Sequence, residues 1–536
     1  MQFIKPIKII TSSRDIQNID NLLLDFPNQI ELTGNNESTL KNGSFVIFDF
    51  GKEYSGGIRI FTKHIADNSS IRIRFGESVG EACSDIGYKG ATNDHSPRDF
   101  VVKVPHLSDL TFGQTGFRFV RIDFSGEYWQ LRNVLAAVDN DERLEIGTFK
   151  CDDELVNEIW NTAAYTLRLN LHNGLFWDGV KRDRLCWIGD AYPEAKAAYC
   201  LYENPQEVKN TLDFIMKTTT GDDWCCGHPT YNLWFILIVC EKYLYDGNQD
   251  ETNKYADFIL NSLNRFNKLV DEDGTTHLPF NFIDWPSHYN GGDGEELIKK
   301  ADETVGVSYL IKLTCQKTIK LFDELKNDQI VNVSKEIIRK INNSSLSVKK
   351  FKQIAALGVA CGEDSNKLDV LLKGGAHGLS TFQSYFILSA LAHFGKYDEA
   401  LDYFKEYYGG MLSVGSTTFW EDFDLEWLDN CSRIDEIPVD GKKDIHGDYG
   451  KFCYSGYRHS FCHGWSAGVI PYIVENIVGL KQIDSTHFTL EPHMSYLKSV
   501  DCNIPTIKGI IHVLLENKSG KLSIKIDKPE GVFINE

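Results

Sequence analysis

ELVNEIWNTAAYTLRLNLH, residues 154 to 172, is where the hydrophobic period of this chain changes. Leu155, Ile159, Thr162, Thr166 and Leu169 fall on one stripe of a 3.6-residue helix, and Asp152 or Asp153 stands where an N-cap is needed. Downstream, helical patterns dominate to about Leu480: 189–203, 205–219 with Pro205 at the first turn, 230–245, 251–269, 302–325, 333–342, 364–373, 379–393, 397–408 and 462–478. Upstream, from about Phe45 to Phe124, apolar residues recur at every second position in SFVIFDF, GGIRIF, SIRIRFGES, FVVKV and GFRFVRIDF, the pattern of antiparallel strands with one buried face. Alternation returns in the last 55 residues, in HFTLEP, IKGIIHVLLEN and KLSIKIDKP. The reading is a multidomain chain of mixed α and β structure. It has an N-terminal β-sandwich of jelly-roll type (1–148), a central helical domain (149–481) whose successive helix pairs suit a closed toroid of hairpins, and a small C-terminal β-domain (482–536).

Composition excludes several classes. The 536 residues exceed a single small module at about 150 residues per domain. Hydrophobic residues at 42% and charged residues at 25% exclude global disorder. A net charge of −20 opposes binding to nucleic acid or to an anionic membrane surface. The apolar run YNLWFILIVCEKYLY, 231–245, is cut by Glu241 and Lys242 and falls short of the roughly 20 residues that span a bilayer, so it reads as a buried helix. The 13 cysteines are scattered, with no CxxC pair, and no signal-peptide pattern opens the chain; both point to reduced thiols in a cytoplasm.

Chemistry concentrates in four clusters. Trp177 precedes Asp178-Gly-Val-Lys-Arg-Asp-Arg-Leu-Cys-Trp-Ile-Gly-Asp190, which carries three carboxylates, three cations and a second tryptophan at Trp187. A face selected only for solubility rarely carries tryptophan, so a site is favoured over a salt-bridged loop. Asp190 directly precedes a helix and reads as an N-cap, a ligand, or both. In Thr417-Thr-Phe-Trp-Glu-Asp-Phe-Asp424, neighbouring carboxyls between aromatic rings raise one another's pKa, which suits Glu421 to acid–base work and Trp420 to sugar stacking. Asp284 and Trp285 in FIDWPS suggest hydroxyl recognition over an aromatic platform, and Cys462-His-Gly-Trp-Ser-Ala-Gly468 opens the last helix with His463 and Trp465 as further contacts. Trp224, Trp285, Trp420 and Trp427 are all in loops, and their cost of exposure suggests one shared concave wall. No phosphate-binding loop, dinucleotide fingerprint, HExxH or GxSxG is present. Carboxylates with aromatics suit a carbohydrate, and glycoside hydrolysis needs two carboxyl groups.

With DGVKRDRLCWIGD, TTFWEDFD and CHGWSAG in this order, together with DFGKEYSGGIRI, RIRFGES and GFRFVRIDF, the chain resembles the bacterial α-L-rhamnosidases built on a six-hairpin (α/α)6 barrel, from about Asp49 to Leu480. The resemblance implies an inverting, exo-acting hydrolase of terminal α-L-rhamnose that needs no cofactor and no metal. It implies Glu421 as the general base and Asp178, Arg182, Trp187 and Asp190 as pocket residues. Many members read RDER where this chain reads Arg182-Asp183-Arg184, so Asp183 is the expected general acid, with Glu194 in GDAYPE the alternative. Two other functions compete: a glycan-binding relative without hydrolysis, and another hydrolase or a polysaccharide lyase on the same toroid, for which His463, His228 and Tyr231 become central.

Overall fold

The computed structural model describes residues 2–535 apart from 26, 28, 35, 142, 289–295, 452, 453 and 519. The alternating runs of the N-terminal part form an antiparallel ladder whose spine is the 21-residue strand Phe45–Ile65. Asp109–Ser125 pairs along both halves of this spine, Lys8–Ser12 with its first half and Trp129–Val138 with its second. Register breaks after Asp49 and Gly56 turn the spine, so that one strand serves two stretches of sheet. At Gly56 the backbone has φ of 148°, and a Cβ would stand 2.1 Å from the Ala137 carbonyl, so only glycine permits the crossing. The inward positions of the alternation, Val46, Phe48, Ile58, Ile60, Ile71, Ile73, Val120 and Ile122 among them, make the core of this module.

From Glu154 the chain is helical. Asp153 caps the helix Glu154–Leu169 by accepting from the Leu155 and Val156 amides, and the neighbouring Asp152 instead accepts from the backbone of Lys498 and Ser499. Ala191–Leu201, Pro229–Asp246, Glu296–Glu324, Lys352–Ala360, Ser384–His393 and Val469–Tyr472 pack each against the next, and the last packs back on the first. Pro229–Asp246 is buried over nearly its whole length, which accounts for its apolar sequence, and it stops at Gly247 in the left-handed conformation. Gln206–Thr218, Asp328–Ile341 and Tyr397–Ser413 each bury a single stripe against members of this succession. Lys352–Ala360 escapes sequence analysis because it is buried all round and shows no polar stripe. The helix expected over 462–478 starts later: His463 is extended, followed by a 3₁₀ segment at Gly464–Gly468, Val469–Tyr472, and a π-helical turn at Ile473–Val478.

The C-terminal strands form two sheets. Leu480–Gln482, His487–Leu490 and Phe533–Asn535 make one; Ser499–Thr506, Gly509–Lys518 and Lys521–Asp527 make the other. The second sheet takes its fourth strand, Thr148–Cys151, from the segment placed at the start of the helical domain, because the partner of a strand this far away in sequence is not written in local periodicity. Val500, Cys502, Val513 and Leu515 join the same buried cluster as the helices. Among the described residues, no helix is long and apolar enough to cross a membrane, and the 12 described cysteines are free.

Candidate active site

The 178–190 segment is launched by a tight hairpin. Asn173 and Gly174, both left-handed, join Leu171–His172 to Leu175–Phe176, the preferred Asn-Gly turn. The segment then folds back on itself. Asp178 accepts from the Gly179 and Leu185 amides at 2.9 Å each and donates its own amide to the Leu185 carbonyl, while the Arg184 amide reaches the Gly179 carbonyl at 2.8 Å. This loop turns Asp178, Arg182, Asp183 and Asp190 inward, and all four are buried. Arg184 faces away, its guanidinium stacked over Trp177 and donating to the Gln114 carbonyl of the N-terminal module.

Glu421 comes from the opposite side of the site on an extended segment paired with residues near Ser460. Its amide donates to the Ser460 carbonyl at 3.0 Å, and the Ser460 amide returns a bond to Oε2 at 3.2 Å. Arg182 Nη2 donates to both Glu421 oxygens at 3.2 and 3.1 Å, and its Nη1 pairs with Asp183, so one guanidinium holds both carboxylates. An oxygen of Asp183, an oxygen of Glu421 and a ring nitrogen of His463 lie within 4.8 Å of one another, and Asp178, Asp190 and His463 form an equally close second group. His463 Nε2 stands 3.8 Å from Asp183, 3.8 Å from Glu421 and 3.9 Å from Asp190.

Four buried acids with one arginine cannot all be ionised. Burial pushes Glu421 up to about 8, opposed by Arg182 and reinforced by Asp183. Burial raises Asp190 to about 8 against the Tyr231 hydroxyl, which donates to it at 3.3 Å. Asp183 is raised by burial and held back by Arg182, and Asp178 is raised well above the carboxylate range by burial and by Asp183 and Asp190. Burial drives His463 well below its usual value, so its ring is neutral. Asp183 Oδ2 accepts no hydrogen bond from the described residues.

The other sequence candidates divide. Asp190 sits at the helix start yet makes no side-chain cap, which leaves its carboxyl to Tyr231 and the site. Trp187 is half-buried, edge-on to His228 and Tyr231. Trp465 supports Glu421 by donating its indole N–H to the Glu421 carbonyl at 3.0 Å, with its ring stacked on Phe382. Glu194 is fully buried one helical turn behind Asp190, with a carboxylate oxygen 1.5 Å from where a Cβ of Gly464 would stand. Trp420 is a correction. It is 0% exposed, stacked on Phe461 at 3.8 Å and bonded to Ser416, because alternate residues of an extended segment face opposite sides and Glu421 takes the side of the site. The shared tryptophan wall is likewise not found: Trp427 packs on Tyr449, and Trp224 on Phe266 and Arg265. Asp284 is buried, bonded to the Trp285 amide and to Ser380 and raised to about 7, and half-buried Trp285 meets Phe282 and Tyr454 edge-on. Part of the loop that follows them lies outside the described residues. Ser460, which supports Glu421, stood out in no sequence pattern, and nothing in the runs that contain Lys181 and Glu77 marked them as supports of the acids.

Residues 144–292 match the family model described as the bacterial α-L-rhamnosidase six-hairpin glycosidase domain. A curated α-L-rhamnosidase of Formosa agariphila is 21% identical over 78% of this chain and 46% of its own length. Among solved structures, the family 78 rhamnosidase of Bacillus sp. GL1 superposes with a TM-score of 0.70 at 19% identity, covering 97% of this chain and 55% of that one. The Klebsiella oxytoca rhamnosidase, solved with rhamnose bound, gives 0.66 at 17%, covering 88% and 95%. The chain thus spans about half the length of the curated relative it matches. Residues 144–292 thus resemble the bacterial α-L-rhamnosidase six-hairpin domain in sequence, and the chain shares the fold of the solved rhamnosidases.

Proposed function

We propose that this chain is an exo-acting, inverting glycoside hydrolase that releases terminal α-L-rhamnose, with its helices forming an (α/α)6 toroid of six hairpins between the two β-domains. The helix succession that returns to its first member supports the toroid. The observation that carries the function is the meeting of Asp183 and Glu421, far apart in the chain, over one buried arginine. Asp183 protonates the leaving oxygen and Glu421 activates water. Near neutral pH the pair holds one proton. Arg182 and the Ser460 amide aim their donors at Glu421 and favour its anion, whereas Asp183 Oδ2 accepts nothing and is free to carry the proton. Neutral His463 does not compete for that proton. Asp178 and Asp190 accept from sugar hydroxyls, and Trp187 closes on the ring.

Resemblance and geometry differ on stereochemistry. An approach within 4.8 Å is nearer the roughly 5 Å of a retaining pair than the roughly 6.5 to 9.5 Å that leaves room for water. We assign the short approach to Arg182, whose guanidinium pulls both carboxylates onto itself, and keep inversion as the reading. Beside the loop lies a groove of about 640 Å³ lined by Leu185, Trp187, Phe214 and Trp224, which suits an apolar aglycone. The enclosure of the acids favours a chain end over an internal sugar. A panel of aryl glycosides tests the reading: turnover confined to the α-L-rhamnoside is expected, and release of a different sugar, or of none, overturns it.

A further inference from the structure

We infer that Glu77, contributed by the N-terminal β-module, is a positioning residue of the active site, because one of its oxygens holds both walls of that site at once. Glu77 follows the strand Ser70–Gly76 and is fully buried. Its Oε2 accepts from Lys181 Nζ at 2.9 Å and from the Phe461 amide at 2.8 Å. Lys181 is the residue before Arg182 and Asp183, and Phe461 is the residue after Ser460, whose amide holds Glu421.

The lysine extends the tie. An ammonium has three donors, and besides Glu77 it reaches the carbonyls of Tyr457 at 2.9 Å and His459 at 2.5 Å. The carbonyl of the intervening Arg458 accepts from Arg182 Nε at 3.0 Å. So the backbone from Tyr457 to Phe461 is fixed to the Asp183 loop through Lys181 and to the β-module through Glu77. The module also grips the Glu421 segment farther back. The Glu53 amide donates to Thr417 at 3.0 Å, and Arg118 donates to the Gly415 carbonyl at 2.8 Å.

Glu77, Glu81 and His446 lie close enough to bind a cation, but Lys181 Nζ already stands 2.9 Å from Glu77 and 3.3 Å from Glu81 and serves as that cation. Buried ion pairs contribute little net stability. What this one fixes is the relative place of two segments that carry the acid and the support of the base, where a shift of about 1 Å can cost a hundredfold in rate.

The inference rests on the proposed hydrolase reading, and its test separates the two. Glu77→Gln, Lys181→Met and the double variant are compared with the wild type on an aryl α-L-rhamnoside, and backbone amide exchange is followed by mass spectrometry. The expected result is at least a tenfold loss of kcat in each single variant with KM within threefold, and a double variant no slower than the slower single. Exchange should quicken over 178–190 and 456–465 and stay unchanged in 229–246. Both single variants within twofold of wild-type kcat, with exchange unchanged, overturn the inference. If a single variant does not fold, the double variant, which leaves no buried charge unpaired between the two positions, decides: folded and slow supports the inference, folded and fully active overturns it. If the wild type releases no rhamnose, the hydrolase reading fails and exchange alone decides this one, quickened at both segments in support and unchanged against.

Discussion

Replacing Glu421 with glutamine removes one ionisable oxygen from the middle of the site and has two separable consequences. The first is kinetic. The amide cannot take a proton from water, and loss of a general base costs about 10² to 10⁴ in turnover, with rhamnose binding retained because Asp178, Asp190 and Trp187 are untouched. The second is thermodynamic and follows from burial. Beside Asp183 in the folded protein Glu421 is raised to about 8, against 4.5 unfolded, so between those values the folded pair keeps one shared proton, resting on Asp183 when Glu421 acts as base, that the unfolded chain has released. Wild-type stability therefore falls as pH rises across that window, by on the order of 5 kcal/mol in all and about 2 kcal/mol between pH 6 and 8. Glutamine has no such dependence. Chemical denaturation of both proteins at pH 6 and pH 8, at one ionic strength, should show the variant gaining on the wild type by about that amount. Parallel pH dependence of the two proteins would refute the buried, proton-holding carboxyl, and undiminished turnover would remove Glu421 from the role of base.

Other expectations follow from single contacts. Asp183→Asn should slow an alkyl rhamnoside at least tenfold more than a dinitrophenyl rhamnoside, whose leaving group needs no proton; steady-state kinetics on the two substrates checks this. Gly464→Ala places a methyl where Glu194 lies and should cost about 1 to 3 kcal/mol, part of which Glu194→Ala in the same chain restores, as read by thermal unfolding. Trp420→Ala should cost about 3 to 5 kcal/mol of stability and leave KM nearly unchanged, since its ring is core and touches no sugar; a large rise in KM with stability intact would return it to the binding site. Trp224→Ala should raise KM for aryl rhamnosides while leaving inhibition by free rhamnose unaltered, because Trp224 lines the groove, packed on Phe266 and Arg265, and is not among the residues assigned to the sugar.

The helical and strand regions were readable wherever one face is buried and the other wet. Gln206–Thr218 and Asp328–Ile341 lie close to where their apolar stripes predict, and Lys352–Ala360, buried all round, left no period to detect. The 178–190 cluster stood out because charge and tryptophan seldom coincide without a site, and Glu421 because its neighbours are aromatic. Trp420 was misplaced for a reason of geometry: one residue along an extended chain reverses the face, and sequence does not say which face is wet. The strand Thr148–Cys151 and the residue Glu77 were illegible for another reason. Each finds its partners more than 100 residues away, at a distance where only the finished fold brings groups together.

In the proposed reaction Asp183 and Glu421 act on opposite faces of one anomeric carbon. Proton NMR of the first sugar released from an α-L-rhamnoside, recorded before mutarotation, tests it most directly. β-L-Rhamnose is expected; α-L-rhamnose as the first product would overturn inversion and show that the short approach of the two carboxylates is the working geometry of a retaining enzyme.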